Sequence, residues 1–531
     1  MARVLVSDRI AEEGLEVLRQ SADVDVRIGL SAAELVAAIP EYQGLVVRSE
    51  SKVTAEVIEA GRELMVVGRA GVGVDNIDVE AATRRGVVVV NAPAAITVAT
   101  AEHTLGLILA LARHIPSAHA SVSDGKWERS RFVGVELRGK TLGIAGLGRI
   151  GSEVGRRARA FDMRVLGYDL FVAPERFQAL GIEVCTKDEL LAESDFLALH
   201  LPLYLPPHSS STYHFLSDAE FKQMKPGARV VNVARGELVD EGALIRALDS
   251  GSIAGAALDV FETEPLPAGS PLLKHPKVVL TPHLGASAAE AQERVGVDVA
   301  EQVIAVIHGQ PAPYAVNLPS VAAEAFKVIA PYLLAASQAA SLATQLSTGQ
   351  FEGVEIEYLG ELAELELSPL KASVIKGLLA PISEENVTLV NAALIAEQRG
   401  LRITERMGGY DGIYKDLIRV NLRTASGRTS VSATVSQDGP HIVEINDFWV
   451  DVSAAEPHLL ICENDDRPGA VGRIGTFLGS KDINISFMRV GREKVRGRAL
   501  MVLGLDDQVD AETLAEISRL PNIASARVAH L

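Results

Sequence analysis

Along residues 1 to about 97, short apolar runs (Val4-Leu5-Val6, Leu45-Val46-Val47, Met65-Val66-Val67, Val87 to Val90) alternate with helix-forming stretches, Ala11 to Gln20 and Ser31 to Ala38. Strands and helices alternating in this way build a parallel α/β sheet. A long helical pattern, Thr97 to Arg113, leads away from it. After Gly139 a second series of strand candidates follows: Lys140 to Ala145, Arg164 to Tyr168, Phe196 to His200, Arg229 to Val233, Gly255 to Val260 and Val278 to Thr281. Two α/β lobes are predicted. A helix then runs from Ala288 to His308, and the proline-containing stretch Gly309 to Pro319 reads as a linker. Residues 320 to about 454 begin with a helix and continue with strand-like runs, Val354 to Tyr358 and Arg428 to Val435. The segment His458 to Leu531 reads strand, helix, strand, strand, helix, strand, the ferredoxin-like order, and is expected to fold as a separate unit.

The 531 residues are enough for three or four domains, each with its own core. A net charge of −18 and a pI near 5.2 oppose duplex-DNA binding, which needs a basic surface, so an acidic substrate has to be captured by local arginines. The two cysteines, Cys185 and Cys462, form neither a disulfide framework nor a CxxC metal site, and no metal is expected. A reducing cytoplasm is the expected location, since the chain opens on a strand-like run rather than on a signal-peptide pattern. Val328 to Leu346 carries no charge, but Pro331, Gln338, Gln345 and several serines make a buried amphipathic helix the expected reading, not a membrane span.

Gly146-Leu147-Gly148-Arg149-Ile150-Gly151 lies between an apolar strand candidate and a helical pattern, and Asp169 ends the next strand candidate. Gly146 permits the tight turn, Gly148 lets the backbone approach a pyrophosphate, and Gly151 lets the helix lie close to the strand with its free N–H groups facing the anion. A carboxylate about 20 residues on accepts the ribose hydroxyls and repels a 2′-phosphate. The expected cofactor is therefore NAD rather than NADP, gripped by Gly146, Gly148, Arg149, Ile150, Gly151 and Asp169. Ala234, Asp259 and Gly285, at later strand ends, are assigned to the same cofactor.

Three residues stand after strands of this lobe, where open α/β sheets place their ligands: Arg235, Glu264 and His283. Hydride loss from a secondary alcohol requires a base for the hydroxyl proton, and histidine titrates near the working pH. Glu264 would orient the imidazole and favour its charged form; Arg235 can grip a carboxylate bidentately while polarising the forming carbonyl. Taken singly, a strand-end Arg or Glu is more often a surface ion pair, and a lone His a bystander.

Through Gly146 to Gly151, Asn232-Val233-Ala234-Arg235-Gly236-Glu237-Leu238-Val239-Asp240 and Pro282-His283-Leu284-Gly285-Ala286, the sequence resembles the D-isomer-specific 2-hydroxy acid dehydrogenases. Gly68-Arg69-Ala70-Gly71-Val72-Gly73-Val74-Asp75-Asn76 and the long C-terminal extension make it similar to the long-type D-3-phosphoglycerate dehydrogenases within that family. The resemblance implies catalytic roles for Arg235, Glu264 and His283, and ribose binding by Asp169. It implies an α/β fold with a Rossmann-type nucleotide domain (98–285) inserted in a flavodoxin-like substrate domain (1–97 and 286–316), then an α+β intervening domain (317–454) and a ferredoxin-like ACT domain (456–531). It also implies oxidation of 3-phosphoglycerate to 3-phosphohydroxypyruvate as the first step of the phosphorylated route to L-serine, by a homo-oligomer, dimer or tetramer. Neither nucleic acid nor membrane is expected as a partner.

Substrate phosphate is expected to meet Arg48, Lys52 and Arg69 at one sheet edge, with Gly71 beside them; the alternative is ordinary solvated charge. The chain departs from the family at Pro93-Ala94-Ala95-Ile96-Thr97, where an amide that could contact substrate is missing, and at the lengthened stretch Leu203 to Tyr213. In the terminal module, Glu463 to Gly469 together with Asn484 resembles an ACT effector loop, which implies L-serine bound between paired subunits by Asn464, Asp466 and Asn484. Such Asx residues also form plain turns, and such modules also serve as dimerisation surfaces. Two other functions compete: reduction of glyoxylate or hydroxypyruvate by the same machinery, and an NAD-sensing interaction protein.

Overall fold

The computed structural model describes residues 1–171, 177–204, 211–310, 312–318, 323–454 and 458–531. Strands β1 (Ala2–Val6), β2 (Ala22–Val26), β3 (Gly44–Val47), β4 (Val66–Arg69) and β5 (Val88–Val90) form a parallel sheet in the order β2-β1-β3-β4-β5. Helices cover both faces, which is why Val4, Leu5, Val6, Leu45, Val46 and Val47 are all fully buried. The helix Ala289–Ile307 returns onto this sheet, with Val295, Val299 and Val303 in its core.

The stretch expected as a linker is partly an extension of this lobe. Val316 N–H donates to Val89 at 2.7 Å, and the Asn317 amide both accepts from Val89 N–H at 2.9 Å and donates to the Val87 carbonyl at 2.9 Å. Strand β5 is an edge whose open backbone groups need partners, and these residues supply them.

The second lobe is a parallel sheet of β6 (Thr141–Ala145), β7 (Arg164–Tyr168), β8 (Glu183–Val184), β9 (Phe196–Leu199), β10 (Ala228–Asn232), β11 (Ile253–Leu258) and β12 (Val278–Leu280). Its order, β12-β11-β10-β9-β6-β7-β8, reverses direction between β9 and β6, so a crevice opens at their carboxyl ends. The helix Thr97–Arg113 packs Ala101, Leu105, Ile108 and Leu111 against one face of it.

A mixed sheet follows: β13 (Phe351–Gly360), β14 (Ile403–Gly408), β15 (Asp416–Thr424), β16 (Gly427–Ser436), β17 (Gly439–Ile445) and β18 (Phe448–Ser453). The segment Ala325–Leu346 is long and apolar enough to cross a membrane by composition, but Ala335, Ala336, Ala339, Ala340 and Ala343 are fully buried against this sheet and the helix Ser368–Leu379. The terminal antiparallel sheet has the order β20-β21-β19-β22, from β19 (His458–Asp465), β20 (Ile485–Arg492), β21 (Arg498–Leu505) and β22 (Ile523–His530). Along β19, Leu460 and Cys462 face the module's own helices, while Leu459 and Ile461 enter the core of the preceding domain. The module keeps a core of its own, and its second sheet face is buried against the intervening domain.

Candidate active site

The carboxyl ends of β3 and β4 in the first lobe and of β9, β10 and β11 in the second face one cavity of about 870 Å³. On its nucleotide side, Gly146 turns with φ +98°, and a β-carbon there would sit 2.5 Å from the His200 carbonyl. At Gly148 nothing lies within 4 Å of that position, so the backbone stands open above the helix Arg149–Arg159 where an anion can settle. Asp169 accepts from Leu147 N–H and Phe171 N–H, each at 2.8 Å, which aims its carboxylate at the glycine loop. Ile150, Ala234 and Gly285 line the cavity. Arg149 instead lays its guanidinium over the Tyr314 ring, 5.0 Å from the centroid. His200 also lines the cavity; burial pushes it down to about 4, and its buried Nε2 has no partner. The open glycine cradle, the neutral unpartnered imidazole and the loop-directed carboxylate fit a bound dinucleotide.

Asp259, expected on the cofactor, is placed differently. Its carboxylate is fully buried and accepts from Leu284 N–H (2.7 Å), Gly285 N–H (2.9 Å) and Thr281 Oγ1 (2.6 Å), with His103 Nε2 at 3.1 Å. Its carbonyl takes His283 N–H at 2.8 Å. It is a positioning residue for the loop that carries His283, whose φ of +55° persists only because these bonds over-determine it.

His283 Nδ1 lies 2.8 Å from Glu264 Oε2, which leaves Nε2 for a ligand. Burial works against ionisation of Glu264, but the hydrogen bond to His283 and its charge outweigh it and hold the carboxyl below its ordinary range. Arg235 donates from Nη1 to the Ala234 carbonyl at 2.7 Å and lies 3.2 Å from Asp75 Oδ2, while Asn232, fully buried, bonds the Arg235 carbonyl at 2.7 Å. Arg235, Glu264 and His283 thus face one cavity.

Arg9, Arg48 and Arg69 line the same cavity, an accumulation of positive charge in a chain of net charge −18. Arg69 is lowered to about 10 by burial and by the nearby charges of Arg235 and Arg48, and its buried Nε has no partner. A guanidinium held in this way among others is prepared for an anion. Gly71 and Gly73 make the room: a β-carbon would fall 1.4 Å from Arg69 Nη1 at the first and 1.9 Å from Arg235 Nη2 at the second. Asp8, buried, accepts from Arg48 N–H (2.6 Å) and Ser51 N–H (3.1 Å), and Asn76 Nδ2 donates to the Arg48 carbonyl at 2.9 Å, so both shape the loop that presents Arg48. Lys52 is a correction: it is exposed and does not line the cavity, because the Asp8-anchored turn carries it outward.

Of the two departures, the first puts the Ile96 side chain at the cavity wall while the Ala95 carbonyl accepts from Arg294 Nε at 3.2 Å. In the second, Leu203 lines the cavity and Thr212 Oγ1 accepts from Tyr204 N–H at 2.8 Å; residues 205–210 lie outside the described residues. Among the described residues no three His, Cys, Asp or Glu side chains group as metal ligands.

Within one chain the expected effector residues stand apart, as a site shared between paired subunits requires. Asn464 pairs with Ala499, at one end of β19, and Asp466 accepts there from Arg496 N–H at 2.9 Å. Asn484 precedes β20 at the other end, bonded to Asp506 at 2.6 Å. The length of β19 between them separates the two ends by roughly 20 Å.

Spacing alone does not single out Asp8, Arg9, His103 or His200, and it gives Asp75 and Asn76 no role within the Gly68 to Asn76 motif. The fold and the site define a nicotinamide-dependent dehydrogenase of D-2-hydroxy acids. Residues 105–285 match the D-isomer specific 2-hydroxyacid dehydrogenase NAD binding domain, 328–446 the D-3-phosphoglycerate dehydrogenase intervening domain, and 458–522 the ACT domain. The chain is 43% identical to D-3-phosphoglycerate dehydrogenase of Synechocystis sp. over 99% of this chain and 94% of that one. It is 41% identical to the Archaeoglobus fulgidus enzyme of the same name over the full length of both. Among solved structures, the TT0316 protein of Thermus thermophilus is 39% identical with a TM-score of 0.54, covering 59% of this chain and 99% of that one. The chain belongs to the D-3-phosphoglycerate dehydrogenase family, and its cofactor is NAD.

Proposed function

We propose that this chain oxidises D-3-phosphoglycerate to 3-phosphohydroxypyruvate, opening the phosphorylated route to L-serine, with Arg235, Glu264 and His283 as its catalytic residues. NAD, when bound, accepts the hydride. His283 Nδ1 is held by Glu264 at 2.8 Å, so Nε2 takes the hydroxyl proton, and the carboxylate balances the imidazolium that results. Arg235 holds the substrate carboxylate and polarises the forming carbonyl, in the space left by Gly73 and with its charge shared with Asp75. Arg48 and Arg69, supported by Asp8 and Asn76, receive the phosphate. The cofactor is held by Gly146, Gly148, Ile150, Gly151 and Asp169, with Ala234 and Gly285 behind the nicotinamide end.

The observation that carries the phosphorylated substrate is the buried, unpartnered Nε of Arg69 beside Arg48. An unphosphorylated glyoxylate or hydroxypyruvate would leave that group unpaired. Nicotinamide absorbance during oxidation of D-3-phosphoglycerate, and during reduction of glyoxylate and hydroxypyruvate, tests the choice. Faster turnover of the unphosphorylated acids would favour the reductase, and no turnover of any would favour an NAD-sensing protein.

The ACT module supports regulation by L-serine. Asn464 with Asp466 and, at the far end of the sheet, Asn484 would complete one site only between two copies of the chain, which supports a homo-oligomer. Calorimetric titration of the full chain with L-serine tests this; no heat of binding at millimolar serine would leave the module as an assembly surface.

A further inference from the structure

Beneath the loop 465–469 of the terminal module lie polar groups of opposite need that do not meet. Asn464 is only 5% exposed and its Oδ1 has no hydrogen-bond partner, its Nδ2 being spent on the Asp465 carbonyl at 2.9 Å. On β19 it continues the face of Leu460 and Cys462, which packs against the helix Ala470–Ser480 through Ile474 and Leu478. Arg473 is on that helix, one turn in, with its N–H on the Gly469 carbonyl at 3.0 Å. Its Nε and Nη2 are buried without partners, and its Nη1 lies 3.2 Å from the β-position of Gly469. The other arginines here are paired: Arg467 is 4.0 Å from Asp465, Arg492 is 3.5 Å from Asp466, and Arg498 is 3.5 Å from Glu463. Among the described residues Arg473 has no acidic partner within that range.

A buried acceptor and a buried cationic donor left unpaired are each costly, and native proteins rarely keep them without a partner. One small molecule meets both needs, an α-amino acid zwitterion, whose ammonium donates to an amide oxygen and whose carboxylate accepts from a guanidinium. We propose that Arg473 is the carboxylate-binding residue of the effector site, with Asn464 Oδ1 receiving the ammonium group. This rests on the reading of the module as an amino acid sensor and adds how the ligand is selected. A free carboxylate is required, so the site rejects amines and amino acid amides of the same size. Asp466, bonded to Arg496 N–H and Arg492, holds the loop that borders this pair.

The test is calorimetric titration of the full-length wild type, Arg473→Met and Arg473→Gln with L-serine and with L-serinamide, which keeps the amine and hydroxyl but loses the carboxylate. The wild type is expected to prefer L-serine by about ten- to a hundredfold in Kd, the usual worth of a hydrogen bond to a charged group. Both variants are expected to bring that ratio to about one, and the glutamine variant decides the matter if the methionine variant lacks a thermal unfolding transition. A wild-type preference that survives in either folded variant places the carboxylate elsewhere and overturns the assignment while leaving serine sensing intact. Wild type that binds neither compound at millimolar concentration overturns the sensor reading, and the assignment with it.

Discussion

Glu264 Oε2 lies 2.8 Å from His283 Nδ1, and the two residues reach each other from loops after different strands, β11 and β12. The contact sets which imidazole nitrogen faces the cavity, and the bonds from Asp259 fix where the ring stands. His283→Ala is therefore expected to lower kcat by about 100- to 10,000-fold, the usual contribution of positioned proton transfer, while NAD binding followed by protein fluorescence persists. A kcat near that of wild type would remove His283 from the mechanism.

Asp169 accepts from Leu147 N–H of the glycine loop, and its proposed role is to accept the ribose hydroxyls. Replacing it by alanine is expected to weaken NAD and to narrow the wild-type preference over NADP, measured as the ratio of kcat/KM for the two cofactors. The idea fails if the wild type already uses both cofactors equally.

Gly73 leaves the space that Arg235 occupies, since an added β-carbon would fall 1.9 Å from Nη2. Gly73→Ala should displace the guanidinium by about an ångström and cost about 100-fold in kcat/KM for the acid substrate. Unchanged steady-state kinetics in a folded Gly73→Ala protein would show that Arg235 adjusts freely.

In the intervening domain, His441 lies between Asp451 and Asp438, each at 3.0 Å. Burial lowers its pKa, but hydrogen bonds and charge from Asp451 and Asp438 outweigh it, and the net shift is upward from 6.5. A histidine with a raised folded pKa contributes stability that is fully present below its unfolded value and is lost as pH rises through the folded value. The thermal midpoint deficit of His441→Asn is expected to be larger near pH 5.5 than near pH 8.5. A deficit that stays constant across this range would contradict the assignment of charge to His441.

Both α/β lobes were legible from the sequence because their central strands are buried on both faces and read as apolar runs, as at Val4 to Val6 and Phe196 to Leu199. The edge strand β2, Ala-Asp-Val-Asp-Val, is half exposed, and β15, β17 and β18 interleave polar with apolar residues, so none of the four shows as an apolar run. The glycine loop is legible because its spacing is local to one turn, whereas His283 is a lone histidine by spacing and owes its role to the resemblance carried by Pro282 to Ala286. The Asp75 to Arg235 contact spans two lobes, and the outward turn of Lys52 depends on Asp8 more than 40 residues away, so neither is visible without the fold. Asn464 and Asp466 lie at one end of the terminal sheet and Asn484 at the other, a separation that the motif alone does not reveal.

The central claim is that the arginines at the first-lobe edge select a phosphorylated 2-hydroxy acid. The most direct measurement is kcat/KM for D-3-phosphoglycerate against D-glycerate in wild type, Arg69→Met and Lys52→Met. The wild type is expected to favour the phosphorylated acid by about a hundredfold or more, since two charge-assisted contacts are at stake. Arg69→Met should lose most of that ratio, and Lys52→Met should keep it. Equal kcat/KM for the two acids in wild type, or a ratio that collapses in Lys52→Met but not in Arg69→Met, would contradict the account.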